Sequence, residues 1–363
     1  MDEWDLLDEV DVIALWPSEH KKNVESGKWQ ERKESLELMD KNPRLSSATM
    51  TIYGELMDNL KKIIAHDSNI NVVIAALNVV TRLARGLRER FACFISMMWV
   101  PMLDKAKDKK ATVRAALGDA LDAVSDACAP DRLAKDLCEH LVKPNPTSKQ
   151  CLCSFLTRYF VRQMTVSMEF TKAVVPVAVK LASDSDPAVR DAACSALGSA
   201  RRLLGRGLDA FLAPLVSEKA KLDKVRLEAV DSLLSIMESA PRVAMSPELQ
   251  MVMSTLVKVL EKDVNINVSS TAAKVLAKMA ASMRTDFAVM IMPIAFDKLK
   301  EKKAVLRNEL VGLCDAASTT VRFLVFFLLW NNDCFVPVRT PYIVDHIPRF
   351  FYNILQVRLA VDS

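Results

Sequence analysis

Apolar residues recur along this chain at i, i+3, i+4 and i+7, the spacing that lines one face of a helix. Residues 71–87 place Val72, Ala75, Ala76, Val79, Val80 and Leu83 on such a face. Residues 187–205 do the same with Val189, Ala192, Ala193, Ala196, Leu197 and Leu204. Asp184-Ser185-Asp186-Pro187 supplies cap-type side chains and then Pro at the first helical position, which predicts where this second helix begins. Helix-sized segments alternate with short polar breaks at 41–43, 67–69, 108–110, 144–146, 184–187 and 221–224. The breaks return roughly every 35 to 45 residues, the period of two-helix HEAT-type repeats. Ala-rich runs at 115–129 and 188–200 suit close helix approach, and no strand-like alternation of useful length precedes the C-terminal tail. The expectation is an all-α fold, a HEAT-repeat α-solenoid built of helix pairs.

A larger repetition lies over the small one. KKIIAHDSNINVVIAALNVVTRLARGLRERF at 61–91 is echoed by KVLEKDVNINVSSTAAKVLAKMAASMRTDF at 258–287, and a lysine-rich break follows each, within 104–117 and 297–310. Residues 32–44 pair more loosely with 226–242. This predicts a complete array over 1–222, part of a second over 223–320, and a different kind of segment over 321–363. That tail holds 9 of the 23 aromatic residues and no lysine, so it does not continue the repeat. Two readings of it stay open: an unrelated terminal segment, or a helix that covers the open end of the second array.

Composition narrows the functional classes. Eight glycines in 363 residues are too few for a Gly-rich phosphate loop or a turn-dense β sandwich. A 51% hydrophobic share supports a sizeable core and makes disorder a poor fit. The net charge of +4 is too weak to imply a nucleic-acid or membrane partner, and no apolar run approaches the length of a membrane span. No secretory signal is visible at the start. Cysteines at 93, 128, 138, 151, 153, 194, 314 and 334 are scattered through helical patterns, which predicts reduced, buried thiols in the cytoplasm. Cys151-x-Cys153 has no second pair or nearby His at ligand spacing, so no metal is expected. The four histidines fall in no HExxH, and no GxxxxGK[ST] occurs. The chain is therefore expected not to be an enzyme and to need no cofactor; a cysteine hydrolase is the residual catalytic reading.

The chemistry gathers in the breaks. In a solenoid, the turns that join paired helices line up along one edge, so matched turns form a ridge. They carry Lys28, Trp29 and Arg32, then Asn69 and Asn71, then Lys109 and Lys110, then Asn145 and Lys149, then Arg190. Trp29 reads either as a helix-start aromatic tucked into the first repeat or as an exposed interface anchor, a role in which Trp and Arg are favoured. Cations spaced one repeat apart predict an acidic protein surface as partner.

WDLLDEVDVIALWP followed by ESGKWQERKESLEL, the break DKAKDKKATVR, the segment SDSDPAVRDAACSALGSA and the closing KAKLDKV resemble a TOG domain. More narrowly, they are similar to the second-type TOG of the microtubule polymerases related to the colonic-hepatic tumour overexpressed gene product, nematode members in particular. The resemblance spans residues 1 to about 225, and 224 to about 318 also resembles the early TOG repeats. It implies a paddle-like array of about six HEAT repeats, one edge of which grips the curved αβ-tubulin heterodimer. By position, Trp29, flanked by Lys28 and Arg32, becomes the first-loop anchor on β-tubulin. Asn69 falls in the second loop, Lys109 and Lys110 in the third, and Asn145 with Lys149 in the fourth. Arg190 falls in the fifth, which reaches α-tubulin. Lys302 and Lys303 match the third-loop lysines in the second array, where Asp223 or Lys224 replaces the tryptophan. The resemblance further implies microtubule plus ends as a partner, TACC-type coiled-coil adaptors in a longer form, and no nucleic acid or membrane. It places the protein on the cytoplasmic cytoskeleton, at centrosomes, spindle poles and microtubule ends. The rival reading is a generic HEAT scaffold or transport adaptor that binds partners along its concave face. The loop-edge reading requires the five breaks to share one edge, with Trp29 accessible.

Overall fold

The structure, a computed structural model, describes residues 8–39, 50–239, 246–282 and 287–318. The expected tail over 321–363 and the break at 41–43 lie outside the described residues. The chain divides into two compact units, Met1–Ser217 and Glu218–Ser363.

In the first unit the helices are α1 (Val12–Leu15), α2 (Ser18–Asn23), α3 (Trp29–Glu37), α4 (Met50–His66), α5 (Ile70–Leu87) and α6 (Ile95–Lys105). They continue as α7 (Ala111–Asp126), α8 (Asp131–Val142), α9 (Pro146–Arg162), α10 (Met168–Leu181), α11 (Pro187–Leu204) and the short α12 (Asp209–Leu212). One layer stacks α3 on α5, then α7, α9 and α11; the other stacks α4 on α6, then α8 and α10. Each helix of the second layer also packs on the one that follows it in the chain, as α4 does on α5. This is the expected α-solenoid. Five complete pairs, α2–α3 through α10–α11, stand among the described residues before Ser217, and α12 occupies the next position.

The apolar stripe read for α5 is buried in full: Val72, Ala75, Ala76, Val79, Val80 and Leu83 all face the interior. In α11, Val189, Ala193, Ala196 and Leu197 are buried, while Ala192 and Leu204 are only half-buried. The burial shifts there because α11 packs on both α9 and α10, which also covers Cys194, Gly198, Ser199 and Ala200. An aromatic cluster ties the centre together. The Trp99 and Phe155 rings lie 5.9 Å apart, and Tyr159 and Phe170 lie 5.0 Å apart. Buried aromatic pairs of this kind add about 0.5–1.5 kcal/mol beyond their area. By length and composition alone, Ile70–Lys105 is apolar enough to cross a membrane, contrary to expectation. Sixty-seven per cent of its most apolar window is buried inside the protein, where α5 and α6 form core.

The second unit contains α13 (Lys219–Ser239), α14 (Pro247–Lys262), α15 (Ile266–Ser282), α16 (Phe287–Lys298) and α17 (Ala304–Ser318). Here α13, α15 and α17 stack in one layer and α14 packs on α16. The break expected at 221–224 is helical, since α13 runs through it without interruption, and the two compact units divide at Ser217. Of the described cysteines, Cys153, Cys194 and Cys314 are buried as expected, whereas Cys128, Cys138 and Cys151 are half-buried and Cys93 is exposed.

Because each layer of a solenoid contacts only its neighbours, a buried leucine in the middle tests the stack directly. Leu121 of α7 is fully buried. Leu121→Ala is expected to lower unfolding stability by about 2–5 kcal/mol, read as a drop in the midpoint of chemical denaturation.

Candidate functional site

Every helix of the α3–α11 layer starts at a short turn, and its first backbone N–H groups need partners. The turns solve this in a repeated way. Ser26 Oγ accepts the Lys28 N–H at 3.1 Å, and Asp67 Oδ1 accepts that of Asn69 at 2.8 Å. Asp108 Oδ1 accepts the Lys110 N–H at 2.9 Å, and Asp184 Oδ1 that of Asp186 at 3.0 Å. An arginine one turn into the helix then folds back onto the turn. Arg32 Nη1 donates to the Ser26 carbonyl at 2.7 Å, Arg114 Nη1 to that of Asp108 at 2.8 Å, and Arg190 Nη1 to those of Asp184 and Ser185 at 2.8 Å each. The fourth turn differs, with the Asn145 N–H donating to the Lys143 carbonyl at 2.8 Å.

Ion pairs then join neighbouring turns. Arg32 reaches Asp67 in the next turn at 2.8 Å, and Lys149 reaches Asp184 at 2.7 Å. His140 and Lys143, at the end of α8, both lie 3.1 Å from Asp104 at the end of α6. The turns before α3, α5, α7, α9 and α11 thus occupy one edge of the unit.

The sequence-derived residues separate into two sets on this edge. Trp29 is the first residue of α3 and is 38% exposed, so the tucked-in reading of it does not hold. Lys28 stands beside it, exposed and 2.9 Å from Glu31. Lys109 and Lys110 are exposed, and their side chains form no ion pair among the described residues. The others are engaged by the fold. Asn69 caps α5 by accepting the Asn71 N–H at 2.9 Å, and Asn145 caps α9 through the Ser148 N–H at 2.9 Å. The Arg32 and Lys149 side chains are only 15% and 16% exposed, each pinned on its aspartate. Arg190 is half-buried and spends Nη1 on the turn, while its Nε and Nη2 take no partner among the described residues. Arg114 and the roles of Asp67 and Asp108 do not figure among the sequence-derived residues, although an aspartate six residues before an arginine recurs at 108/114 and 184/190. Nor do the exposed Ile70 and Val142, which add apolar area to the same edge.

The second unit repeats the skeleton with a different face. Asp263 Oδ1 accepts the Asn265 N–H at 2.9 Å, and Arg226 pairs with Asp263 as Arg32 does with Asp67. At the place of Trp29 stands Asp223, 3.0 Å from Arg226 and 3.3 Å from the Asn265 amide. Lys302 and Lys303 are exposed immediately before α17. Burial pushes the Cys128 thiol up to about 11 and that of Cys153 up to about 12, which keeps both protonated and opposes a thiolate nucleophile. Among the described residues, no three His, Cys, Asp or Glu side chains are grouped to hold a metal.

Residues 174–199 match the HEAT repeat family. Zygote defective protein 9 of Caenorhabditis elegans is 29% identical over 417 aligned residues, which cover 88% of this chain and 29% of that protein. The chain therefore spans less than a third of that relative. A solved chain from the structural work on microtubule plus-end tracking by XMAP215, CLIP-170 and EB1 is 31% identical, with a TM-score of 0.58. That match covers 63% of this chain and 96% of the solved one. A second solved chain belongs to the work on tubulin recruitment and assembly by microtubule polymerases with tumor overexpressed gene (TOG) domain arrays. It is 25% identical with a TM-score of 0.53, covering 61% of this chain and 47% of that one.

The Lys149–Asp184 tie has a testable pH signature. The Lys149 ammonium, and then the Asp186 N–H, hold the Asp184 carboxyl below its ordinary value. A carboxylate depressed in the folded state stabilises above its unfolded pKa of about 3.9, and that contribution disappears as pH falls through the lower folded value. Asp184→Asn is expected to melt below the wild type at pH 7, and the gap is expected to close in melts run below pH ~4.

Proposed function

The chain belongs to the TOG-domain family of HEAT-repeat proteins, and from that premise we propose that the turn edge of its first unit binds the αβ-tubulin heterodimer. The observation that carries the reading is the accessible Trp29 on the same edge as the free cations Lys109 and Lys110. An apolar anchor flanked by basic groups fits an acidic protein surface, with the aromatic supplying desolvated area and the lysines supplying steering.

The residues divide by role. Lys28, Trp29, Lys109 and Lys110 are the contacting side chains, and Arg190 adds the part of its guanidinium that the turn leaves free. Arg32, Lys149, Asn69 and Asn145 are positioning residues, because their polar atoms hold the turns in register. Action is non-enzymatic: the edge prefers the curved, free heterodimer over the straight lattice form, and that preference couples capture to release at a growing end. One edge suffices for capture. Promoting growth needs linked copies, since tethering raises the effective concentration of the second contact. The working place is the cytoplasmic cytoskeleton, at microtubule plus ends, centrosomes and spindle poles, with TACC-type adaptors joining a longer form. In the second unit, Lys302 and Lys303 offer cations without a neighbouring tryptophan, so its tubulin contact is the weaker of the two.

Co-elution with tubulin on size exclusion tests this. Trp29→Ala is expected to cost about 2 kcal/mol or more, roughly a 30-fold rise in Kd. The complex is expected to weaken as salt rises, since exposed charges are screened over about 8 Å at physiological ionic strength. Wild-type behaviour of Trp29→Ala, or indifference to salt, would instead favour an adaptor that binds along the concave face.

A further inference from the structure

The second unit departs from the first by more than the loss of a tryptophan. The start of α13, the end of α14 and the turn before α15 enclose a cleft of about 410 Å³. Lys219, Lys258 and Lys262 stand exposed around it, and their ammonium groups take no ion pair or hydrogen bond among the described residues. The two carboxylates of the wall are already engaged. The Asp263 side chain is 4% exposed and paired with Arg226, while Asp223 holds Arg226 at 3.0 Å and the Asn265 amide at 3.3 Å. Arg226 is committed to the same ties. The wall therefore carries four cations against two carboxylates, and the charge it leaves to a ligand is that of the three lysines.

Apolar surface lies among these charges. Val259 is half-buried in the wall, and Val264, in the turn itself, is 82% exposed. The matching places of the first unit hold Glu25 for Lys219, His66 for Lys262 and Ser68 for Val264, and only Lys62 corresponds to Lys258 in kind. Stacking does not demand the change, because the tie of Arg226 to Asp263 has its counterpart in that of Arg32 to Asp67. The basic and apolar lining is thus an addition to a framework that both units share.

We infer that this cleft binds an extended, acidic segment of a partner protein that carries an aliphatic or aromatic side chain among its carboxylates. Lysine is a point charge on a flexible stem, so three separated ammonium groups suit carboxylates spread along a chain. Phosphate groups are matched best by the planar fork of an arginine, and the one arginine here is held by aspartates. No aromatic side chain lines the cleft, so nucleic-acid bases have nothing to stack on. The apolar side chain of the segment lies between the lysine stems and covers Val259 and Val264. A flat, folded surface would meet the lysines and Val264 but leave the recess empty, whereas an extended chain fills it. The site stands apart from capture of tubulin by the first unit and does not depend on it.

Fluorescence anisotropy of the full chain with a labelled nonapeptide of glutamates around one phenylalanine tests this. Tubulin is absent from the assay, so its outcome is separate from that of the first edge. Saturable binding is expected, and replacing the glutamates by glutamines is expected to abolish it. The exposed pair of substitutions Lys219→Glu and Lys262→Glu is expected to weaken the peptide about tenfold, the worth of two exposed ion pairs, with the helical circular dichroism unchanged. Val264→Ser is expected to weaken the phenylalanine peptide and to leave an all-glutamate peptide as it was. Trp29→Ala is expected to change nothing. Equal binding of the glutamine peptide, full affinity of the lysine variant, or loss of binding on Trp29→Ala would each overturn the assignment, as would tighter binding of an oligothymidylate or of inorganic polyphosphate than of the peptide.

Discussion

The structure turns on how a helix start is satisfied in a stack of parallel helices. A helix that begins at a two- or three-residue turn leaves unpaired N–H groups at the end where its dipole is positive. Here an aspartate or serine two residues ahead of the cap accepts one of them, and an arginine one turn later returns to the turn's own carbonyls. The turn is closed from both sides. Since the aspartate keeps a second oxygen, it can also accept a cation from an adjacent repeat, as Asp67 does from Arg32 and Asp184 from Lys149. One residue type therefore fixes both the local start of a helix and the spacing between repeats.

This arrangement decides which cations are free to act outwards. Arg32, Lys149 and Arg190 look like surface charges in the sequence, but each is drawn inwards by a carboxylate or a carbonyl. Lys109 and Lys110 follow Asp108, whose Oδ1 is taken by the Lys110 N–H, and their ammonium groups remain in solvent. An edge held rigid by paired charges loses little conformational freedom when a partner docks, which lowers the cost of association. The residues that hold the edge and those left in solvent are adjacent in the chain and chemically alike, so only their neighbours distinguish them.

Much of this was legible beforehand. The stripe of α5 and the cap at Asp186 follow from local spacing and side-chain chemistry. So does the sharing of one edge by the breaks, once the period is recognised. Pairing between repeats was not legible, because Arg32 and Asp67 lie 35 residues apart and no local pattern links them. The break assigned to 221–224 failed for a related reason. Lysine and aspartate suit turns and the exposed face of a helix alike, and α13 runs through them.

The second unit separates framework from function. Arg226, Asp263 and Asn265 reproduce the pairing of Arg32, Asp67 and Asn69, so the demands of stacking have been kept. At the position of Trp29, Asp223 binds Arg226 and the Asn265 amide, so an inward tie stands where the first unit has an exposed indole. The exposed indole makes no polar contact with its repeat, whereas the carboxylate at the matching place, inside α13, makes two. Retaining the tryptophan in the first unit thus forgoes a local stabilisation that the second unit shows to be available. The two edges therefore share a framework of ion pairs and differ in what they leave in solvent, an indole on the first and no aromatic at the matching place on the second.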